Sequence, residues 1–293
     1  MPDKIGFIGL GAIGSPMAAH VAEAFDLMVW NRTAVKAEEF ARSQGATAAG
    51  TVHQLVAWAD SVITCLPTSQ DVFDVVRQGD GAWREGHLLV DCTSGEPSLS
   101  REIAQWLSER SAGFVDAPVS GGTSGAEKGT LTLMLGGEEP WVERARRVVA
   151  PFAGKIVHVG PVGTGHALKA INNALLAVNI QAAGEGLAAL VKLGVTATAA
   201  LEVINASSGR SNVTENLIPQ RVVTRAWPRT FRLALLDKDL GVAVKVLEDT
   251  RVPSDAMGMA KRVFGEARRA LGEEADHVEL IKEIEKAAQV EIR

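Results

Sequence analysis

Hydrophobic and polar positions change rhythm once along this chain. In the first half, short apolar runs alternate with amphipathic stretches. The runs at residues 5–8, 27–30, 61–66, 88–92, 113–116, 131–135 and 155–159 predict strands. Between most of them, helical spacing predicts helices over 16–23, 34–44, 52–58, 71–78, 99–109 and 140–150. Pro97 and Pro140 suit first-turn positions, where the missing N–H is not needed. Strict alternation of this kind predicts an α/β fold: a Rossmann-type, doubly wound, mostly parallel sheet with helices on both faces.

The rhythm breaks at Gly160-Pro161-Val162-Gly163-Thr164-Gly165. Beyond it no segment reads as a strand. Residues 166–193 read as one long helix stopped by Gly194, and shorter helices are expected at 196–205, 213–224, 237–248, 254–271 and 278–288. Two domains follow: residues 1–162, and an all-α domain over 163–293. On the long helix Leu168, Ile171, Leu175, Val178, Ile180, Leu187, Leu190 and Val191 occupy nearly every face. A helix apolar all round is buried on all sides. One small lobe cannot surround it, so a homodimer or homotetramer joined through the helical domains is expected.

Composition narrows the classes. With 46% hydrophobic and 22% charged residues the chain reads as an ordinary globular protein. The formal charge of -5, without a long basic run, argues against a nucleic-acid surface. Met1-Pro2-Asp3-Lys4 lacks a signal peptide's layout. Lys169, Asn172, Asn173, Asn179 and Glu185 interrupt the long helix, so no membrane span is expected. Cys65 and Cys92 fall at the ends of expected strands and read as reduced core residues of a cytoplasmic protein. There is no tyrosine, so no Tyr/Lys pair can protonate a carbonyl. The histidines are not at metal-ligand spacing and no CxxC occurs, so no metal is expected. Proton transfer is left to Lys, His, Asp or Glu.

The candidate chemistry begins at the first strand, which runs into Gly9-Leu10-Gly11-Ala12-Ile13-Gly14 and then a helix. Gly9 permits the tight turn, Gly11 lets a pyrophosphate approach the backbone, and Gly14 allows close helix packing. The helix N-terminus offers N–H groups and partial positive charge to phosphates. The second strand ends in Trp30-Asn31-Arg32-Thr33, with Lys36 a turn later, where NAD-binding units place an acid for the ribose. The acid is missing. Arg32, with Thr33 and Lys36, suits a 2′-phosphate, so NADP is expected over NAD; a solvated arginine at a loop tip is the plain alternative. Cys65-Leu66-Pro67-Thr68 and Asp91-Cys92-Thr93-Ser94 follow two further strands and are expected to flank the cofactor. Ser120-Gly121-Gly122 offers a hydroxyl and adjacent amides to a carboxylate, or is a simple glycine-rich turn. Lys169 stands in an apolar helix with Asn173 at i+4; it is either a proton carrier or a lysine that snorkels from the helix start.

Taken together the motifs resemble the β-hydroxyacid dehydrogenase family, most closely its 3-hydroxyisobutyrate dehydrogenases. The pieces, in the family's order and spread over essentially the whole chain, are GLGAIGSPMA, WNRT, CLPT, DCTSGEP, DAPVSGGTSGAEKGTLTLMLGG, GPVGTGHALKAINN and LLDKDLG. The resemblance implies a catalytic Lys169, within a Gly-x-Gly-x-x-x-Lys-x-x-Asn-Asn pattern, and a substrate-binding Asn173. It implies that Ser120, Gly121 and Gly122 hold the substrate carboxylate and that Ser94, where relatives usually have threonine, lies near the nicotinamide. Leu66, Pro67 and Lys238 match cofactor-contacting positions, and Phe231 and Asp239 match residues bordering the substrate. The expected activity is hydride transfer between NADP and a small β-hydroxyacid, foremost 3-hydroxyisobutyrate to methylmalonate semialdehyde in branched-chain amino acid catabolism. A glyoxylate or succinic semialdehyde reductase shares every motif. An imine reductase fits less well, because that branch replaces the lysine. A non-catalytic NADP-binding module is the reading from another class, and Lys169 argues against it.

Overall fold

The computed structural model describes residues 3–293, so the reading of Met1 and Pro2 lies outside the described residues. The chain divides into two compact units, Met1–Lys169 and Ala170–Arg293. The division falls inside the long helix, beyond the expected boundary at 162.

The first unit runs β1 (Lys4–Ile8), α1 (Gly14–Ala24), β2 (Asp26–Trp30), α2 (Ala34–Gln44), β3 (Thr47–Ala48), α3 (Val52–Trp58), β4 (Ser61–Thr64) and α4 (Ser69–Gln78). It continues with β5 (Leu88–Asp91), α5 (Pro97–Ser108), β6 (Gly113–Asp116), β7 (Val119–Ser120), α6 (Gly122–Glu127), β8 (Leu131–Gly136), α7 (Glu139–Val149) and β9 (Ala153–Gly160). The strands form one sheet in the order β3-β2-β1-β4-β5-β6-β8-β7, with β9 paired to β8. Pairing from β3 to β6 is parallel throughout. The exception is β8, which is antiparallel to β6 and β7 and parallel to β9.

Alternate side chains of each strand go to opposite faces, so the apolar runs feed two cores. Ile5, Phe7, Ile63, Leu88 and Val90 join Met17, Val21 and Val142 on one face. Ile8, Val62 and Leu89 join Leu55, Val72 and Ile103 on the other. Strands buried on both faces explain why the sequence shows continuous apolar runs here instead of apolar/polar alternation. The elements β3, β7 and α6 were not expected from the pattern; two-residue strands and a six-residue helix are too short to show a period.

The helices α8 (Thr164–Lys192), α9 (Ala197–Asn205), α10 (Leu233–Thr250), α11 (Asp255–Leu271) and α12 (Leu280–Ala288) follow. Among the described residues no strand is found beyond Gly160, only an isolated bridge between Arg232 and Asp276. The helix expected at 213–224 is a π-helical segment, Val213–Val223, with Pro219 inside it. Proline has no N–H to give and crowds the preceding turn, and a wider turn relieves both. In the second unit Ala174, Ala177, Ile180 and Leu187 of α8 pack with Leu236, Leu240 and Ala243 of α10 and Phe264 of α11. By length and composition alone α8 is apolar enough to cross a membrane. As the sequence pattern suggested, its own chain does not enclose it on every face: Leu168 is 43% and Leu175 52% exposed.

Candidate functional site

The strand order reverses between β1 and β4, and the crevice at the carboxyl ends of these strands is where open α/β sheets bind ligands. The turn from Gly9 to Gly14 lies there. Gly9 adopts φ +106°, and a Cβ on it would stand 2.3 Å from the carbonyl oxygen of Cys65. A Cβ on Gly14 would stand 2.0 Å from the carbonyl oxygen of Gly9, so the glycine brings α1 against the turn itself. A Cβ on Gly11 would meet nothing within 4 Å, which leaves the backbone open to a phosphate. No side chain caps α1 and no acid stands in its first turn. These features fit a dinucleotide pyrophosphate.

Asn31 holds the turn: its Oδ1 accepts from the Leu10 N–H at 3.1 Å and its Nδ2 donates to the Thr33 carbonyl at 3.1 Å. These two bonds shape the loop and leave one amide hydrogen and one carbonyl lone pair over. Arg32, Thr33 and Lys36 are exposed at the start of α2. Thr33 is the N-cap of α2 but makes no side-chain capping bond. Two positive charges and a hydroxyl thus stand at this edge, with no ion pair to either cation among the described residues.

The ends of β4 and β5 are tied together. Asp91 Oδ1 accepts from Thr64 Oγ1 at 2.9 Å and from the Thr93 N–H at 3.0 Å, and Thr93 Oγ1 accepts from the Leu66 N–H at 3.1 Å. This network carries Leu66 beside Gly9, and Pro67 and Ser94 follow Leu66 and Thr93 along the chain. Cys65 and Cys92 are free thiols. Burial, aided by Asp91, pushes Cys65 up to about 12, so the thiol stays protonated and unreactive at neutral pH.

Ser120 ends β7, and Gly121 and Gly122 follow at φ +137° and +64°. Both conformations suit glycine, and nothing lies within 4 Å of a Cβ on Gly122. Lys169 is half-buried in α8. The turn that starts this helix is pinned by residues to which sequence reasoning assigned no role. Asp116, at the end of β6, accepts from the N–H of Gly163 at 2.7 Å and of His166 at 2.9 Å. Burial nevertheless pushes its carboxyl up, against the pull of His166 and the two amides. The available signal was an acid at the end of an otherwise apolar strand.

In the second unit the structure brings Asn173, Lys238 and Asp239 together. Asn173 Nδ2 donates to Asp239 Oδ2 at 2.6 Å, and Lys238 Nζ lies 3.2 Å from Asp239 Oδ1. Asn173 and Asp239 are 4% and 3% exposed. A carboxylate has no hydrogen to give, so Asn173 must turn its Nδ2 towards it. Asn172 donates to Asn173 Oδ1 at 3.3 Å, which reinforces the same orientation. Phe231 is held by a separate set. Its N–H donates to Asp276 Oδ2 at 3.0 Å, its carbonyl accepts from the His277 N–H at 2.9 Å, and its ring lies 5.3 Å from that of His277. Burial acts to raise Asp276, but His277 and the amides of Phe231 and Thr230 outweigh it and hold the carboxyl well below the usual range. The Asp276-x-x-Glu279 capping box was the sequence signal for this anchor.

Comparison with known proteins agrees in both units. A family model described as the NAD binding domain of 6-phosphogluconate dehydrogenase matches residues 4–160. A second, described as the NAD-binding of NADP-dependent 3-hydroxyisobutyrate dehydrogenase, matches residues 163–284. The chain is 38% identical to the 2-(hydroxymethyl)glutarate dehydrogenase of Eubacterium barkeri, over 92% of its own length and 90% of the relative's. It is 35% identical to the NAD-dependent L-serine dehydrogenase of Pseudomonas aeruginosa, over 82% and 84%. Among solved structures, the 3-hydroxyisobutyrate dehydrogenase of Mycobacterium tuberculosis with L-serine superposes with a TM-score of 0.91 at 30% identity, covering 97% of this chain and 99% of that one.

Proposed function

Since the chain belongs to the 3-hydroxyisobutyrate dehydrogenase family of NAD(P)-dependent β-hydroxyacid dehydrogenases, we propose that it oxidises the primary alcohol of a small 2-substituted 3-hydroxypropanoate, 3-hydroxyisobutyrate foremost, with NADP preferred over NAD. The substrates named for the relatives support this class. 3-Hydroxyisobutyrate, L-serine and 2-(hydroxymethyl)glutarate differ at C2, where they carry a methyl, an amino and a carboxyethyl group. They share a carboxylate and a neighbouring CH2OH.

A nicotinamide cofactor held along Gly9–Gly14, Leu66, Pro67, Ser94 and Lys238 supplies the hydride acceptor, or the donor in the reverse direction. Arg32, Thr33 and Lys36 bind its 2′-phosphate. Ser120 and the amides of Gly121 and Gly122 hold the substrate carboxylate, and Phe231 and Asp239 match substrate-bordering positions of the family. Lys169 takes the hydroxyl proton in oxidation and returns it in reduction. Asn173 orients the hydroxyl. The observation that carries this reading is the buried Asn173–Asp239 contact, which fixes an amide one helical turn from the lysine. Holding reacting groups in line contributes about 7–11 kcal/mol of barrier reduction, so a locked amide beside a proton carrier is a catalytic arrangement.

A panel of 3-hydroxyisobutyrate, L-serine, 2-(hydroxymethyl)glutarate, glyoxylate and succinic semialdehyde, each with both cofactors and compared by kcat/KM, tests the proposal. A preference for the 3-hydroxypropanoates with NADP is expected. Preference for either aldehyde acid sinks the substrate class, and turnover of none sinks the catalytic reading. The 38% identity to the 2-(hydroxymethyl)glutarate enzyme favours a second reading in which C2 carries a carboxylate arm, and the same panel decides it.

A further inference from the structure

We propose that Asp116 is a positioning residue: by capping the first turn of α8 it sets where Lys169 stands. The inference rests on the reading of Lys169 as the proton carrier. A helix leaves its first N–H groups without partners, and its positive end favours an anion. Asp116 meets both needs with one buried carboxylate, Oδ1 to Gly163 and Oδ2 to His166. So close an approach requires glycine. Gly163 adopts φ +92°. A Cβ on Gly165 would stand 2.3 Å from the Met134 carbonyl oxygen and 2.8 Å from Asp116 Oδ2. The two glycines that precede the lysine are there to seat the helix on the sheet.

The same turn is gripped by the ring of His166. Its Nδ1 lies 2.7 Å from Ser100 Oγ, whose own hydrogen goes to the Glu96 carbonyl, so Nδ1 carries a hydrogen and donates. Its Nε2 lies 3.8 Å from Asp91 Oδ2, and both atoms are buried without another partner. Elements β5, β6 and α5 therefore converge on one helical turn. Lys169 comes three residues after His166, about 4.5 Å along the axis of the same continuous helix. With no joint between them, a tilt at the cap carries straight to the lysine, and displacing a reacting group by about 1 Å costs roughly 10²-fold in rate.

Asp116→Asn keeps the volume but turns one acceptor into a donor facing an N–H. Turnover per NADPH-binding site is expected to fall by about 10- to 100-fold, with cofactor affinity unchanged. In a Lys169→Ala background the same substitution is expected to cost nothing further. A merely structural Asp116 would lower turnover by the same factor in both backgrounds, and that result overturns the proposal. Normal kcat in Asp116→Asn, when Lys169→Ala is inactive, overturns the positioning alone. Full turnover in Lys169→Ala overturns the lysine's role and this inference with it. If Asp116→Asn fails to fold, Ser100→Ala takes its place: it frees the His166 ring, and a smaller fall in kcat, absent in the Lys169→Ala background, is expected. Unchanged kcat in Ser100→Ala then counts against the proposal.

Discussion

Removing the carboxylate of Asp239 tests whether it is what aims Asn173. The contact is short, at 2.6 Å, and both residues are buried, so water cannot substitute for either partner. A hydrogen bond to a charged group contributes about 1.5–3 kcal/mol. At about 1.4 kcal/mol per factor of ten, the loss corresponds to about 10- to 150-fold. If Asn173 acts on the reacting hydroxyl, the loss falls mainly on kcat. Asp239→Ala removes the acceptor, lets the amide rotate and also removes one ion-pair contact of Lys238. Asp239→Asn can still offer one oxygen, keeping a neutral bond of about 0.5–1.5 kcal/mol, so its loss should be intermediate. The assay is steady-state kinetics on the best substrate beside NADPH binding followed by fluorescence. The expected order of kcat is wild type, Asp239→Asn, Asp239→Ala, with NADPH affinity least affected in the Asn variant. Added to Asn173→Ala, either substitution should cost little more. Wild-type kcat in Asp239→Ala, or full additivity with Asn173→Ala, would refute the argument.

Four further outcomes are expected. Arg32→Ala should weaken NADP by about ten- to a hundredfold, the value of one charge-assisted contact, and spare NAD; equal loss for both would mean that Arg32 only shapes the loop. Lys169→Ala should lose turnover by about 10²–10⁴-fold, and Lys169→Arg should not rescue it because a guanidinium keeps its proton; near-normal turnover in the Arg variant removes the lysine from the mechanism. Asp276 titrates below its unfolded value, so its stabilisation is present above about pH 4 and is lost as pH falls towards the lowered folded value. The stability gap between wild type and Asp276→Asn should therefore close in acid, and a gap that persists into strong acid contradicts the assignment. Light scattering should give at least a dimer, because Leu168 and Leu175 leave an apolar stretch of α8 uncovered by its own chain; a fully active monomer would rule that out.

What could be read from the sequence, and what could not, divides by range. Strands β1, β2, β4, β5 and β6 announced themselves because burial on both faces needs unbroken apolar runs, and the glycine turn because three glycines at that spacing between a strand and a helix are a local pattern. Lys169 and Asn173 were visible as polar intrusions on an apolar helix. Their partners were not. Asp239 is 66 positions from Asn173 along the chain, and Asp116 is 47 and 50 positions from the amides it caps. No local rhythm links such pairs; only the packing of α8 with α10 and with the sheet ends brings them together. Asn31 shows the converse. Its place at the end of β2 made it a cofactor candidate, and what the sequence did not show is that its side chain also holds the turn through Leu10 and Thr33. The π-helical segment escaped for another reason: a helix period is read from side chains, and a widened turn around Pro219 changes the backbone without erasing the apolar spacing.

The Gly-x-Gly-x-x-x-Lys-x-x-Asn-Asn segment can then be understood as one mechanical device read from its two ends. At its start the glycines and His166 fasten the helix to β6 and α5 through Asp116 and Ser100. At its end Asn173 is fastened to α10 through Asp239. Lys169 stands between the two fastenings in a single uninterrupted helix. A long flexible side chain is a poor choice for precise proton transfer unless its Cα is held, because rotamer freedom multiplies any backbone motion. Anchoring the helix one turn before the lysine and one turn after it removes that motion. The acids that do this act through the residues they hold. Asp116→Asn and Asp239→Asn should therefore lower turnover more than cofactor affinity, which separates them from Arg32→Ala, whose effect should fall on NADP binding.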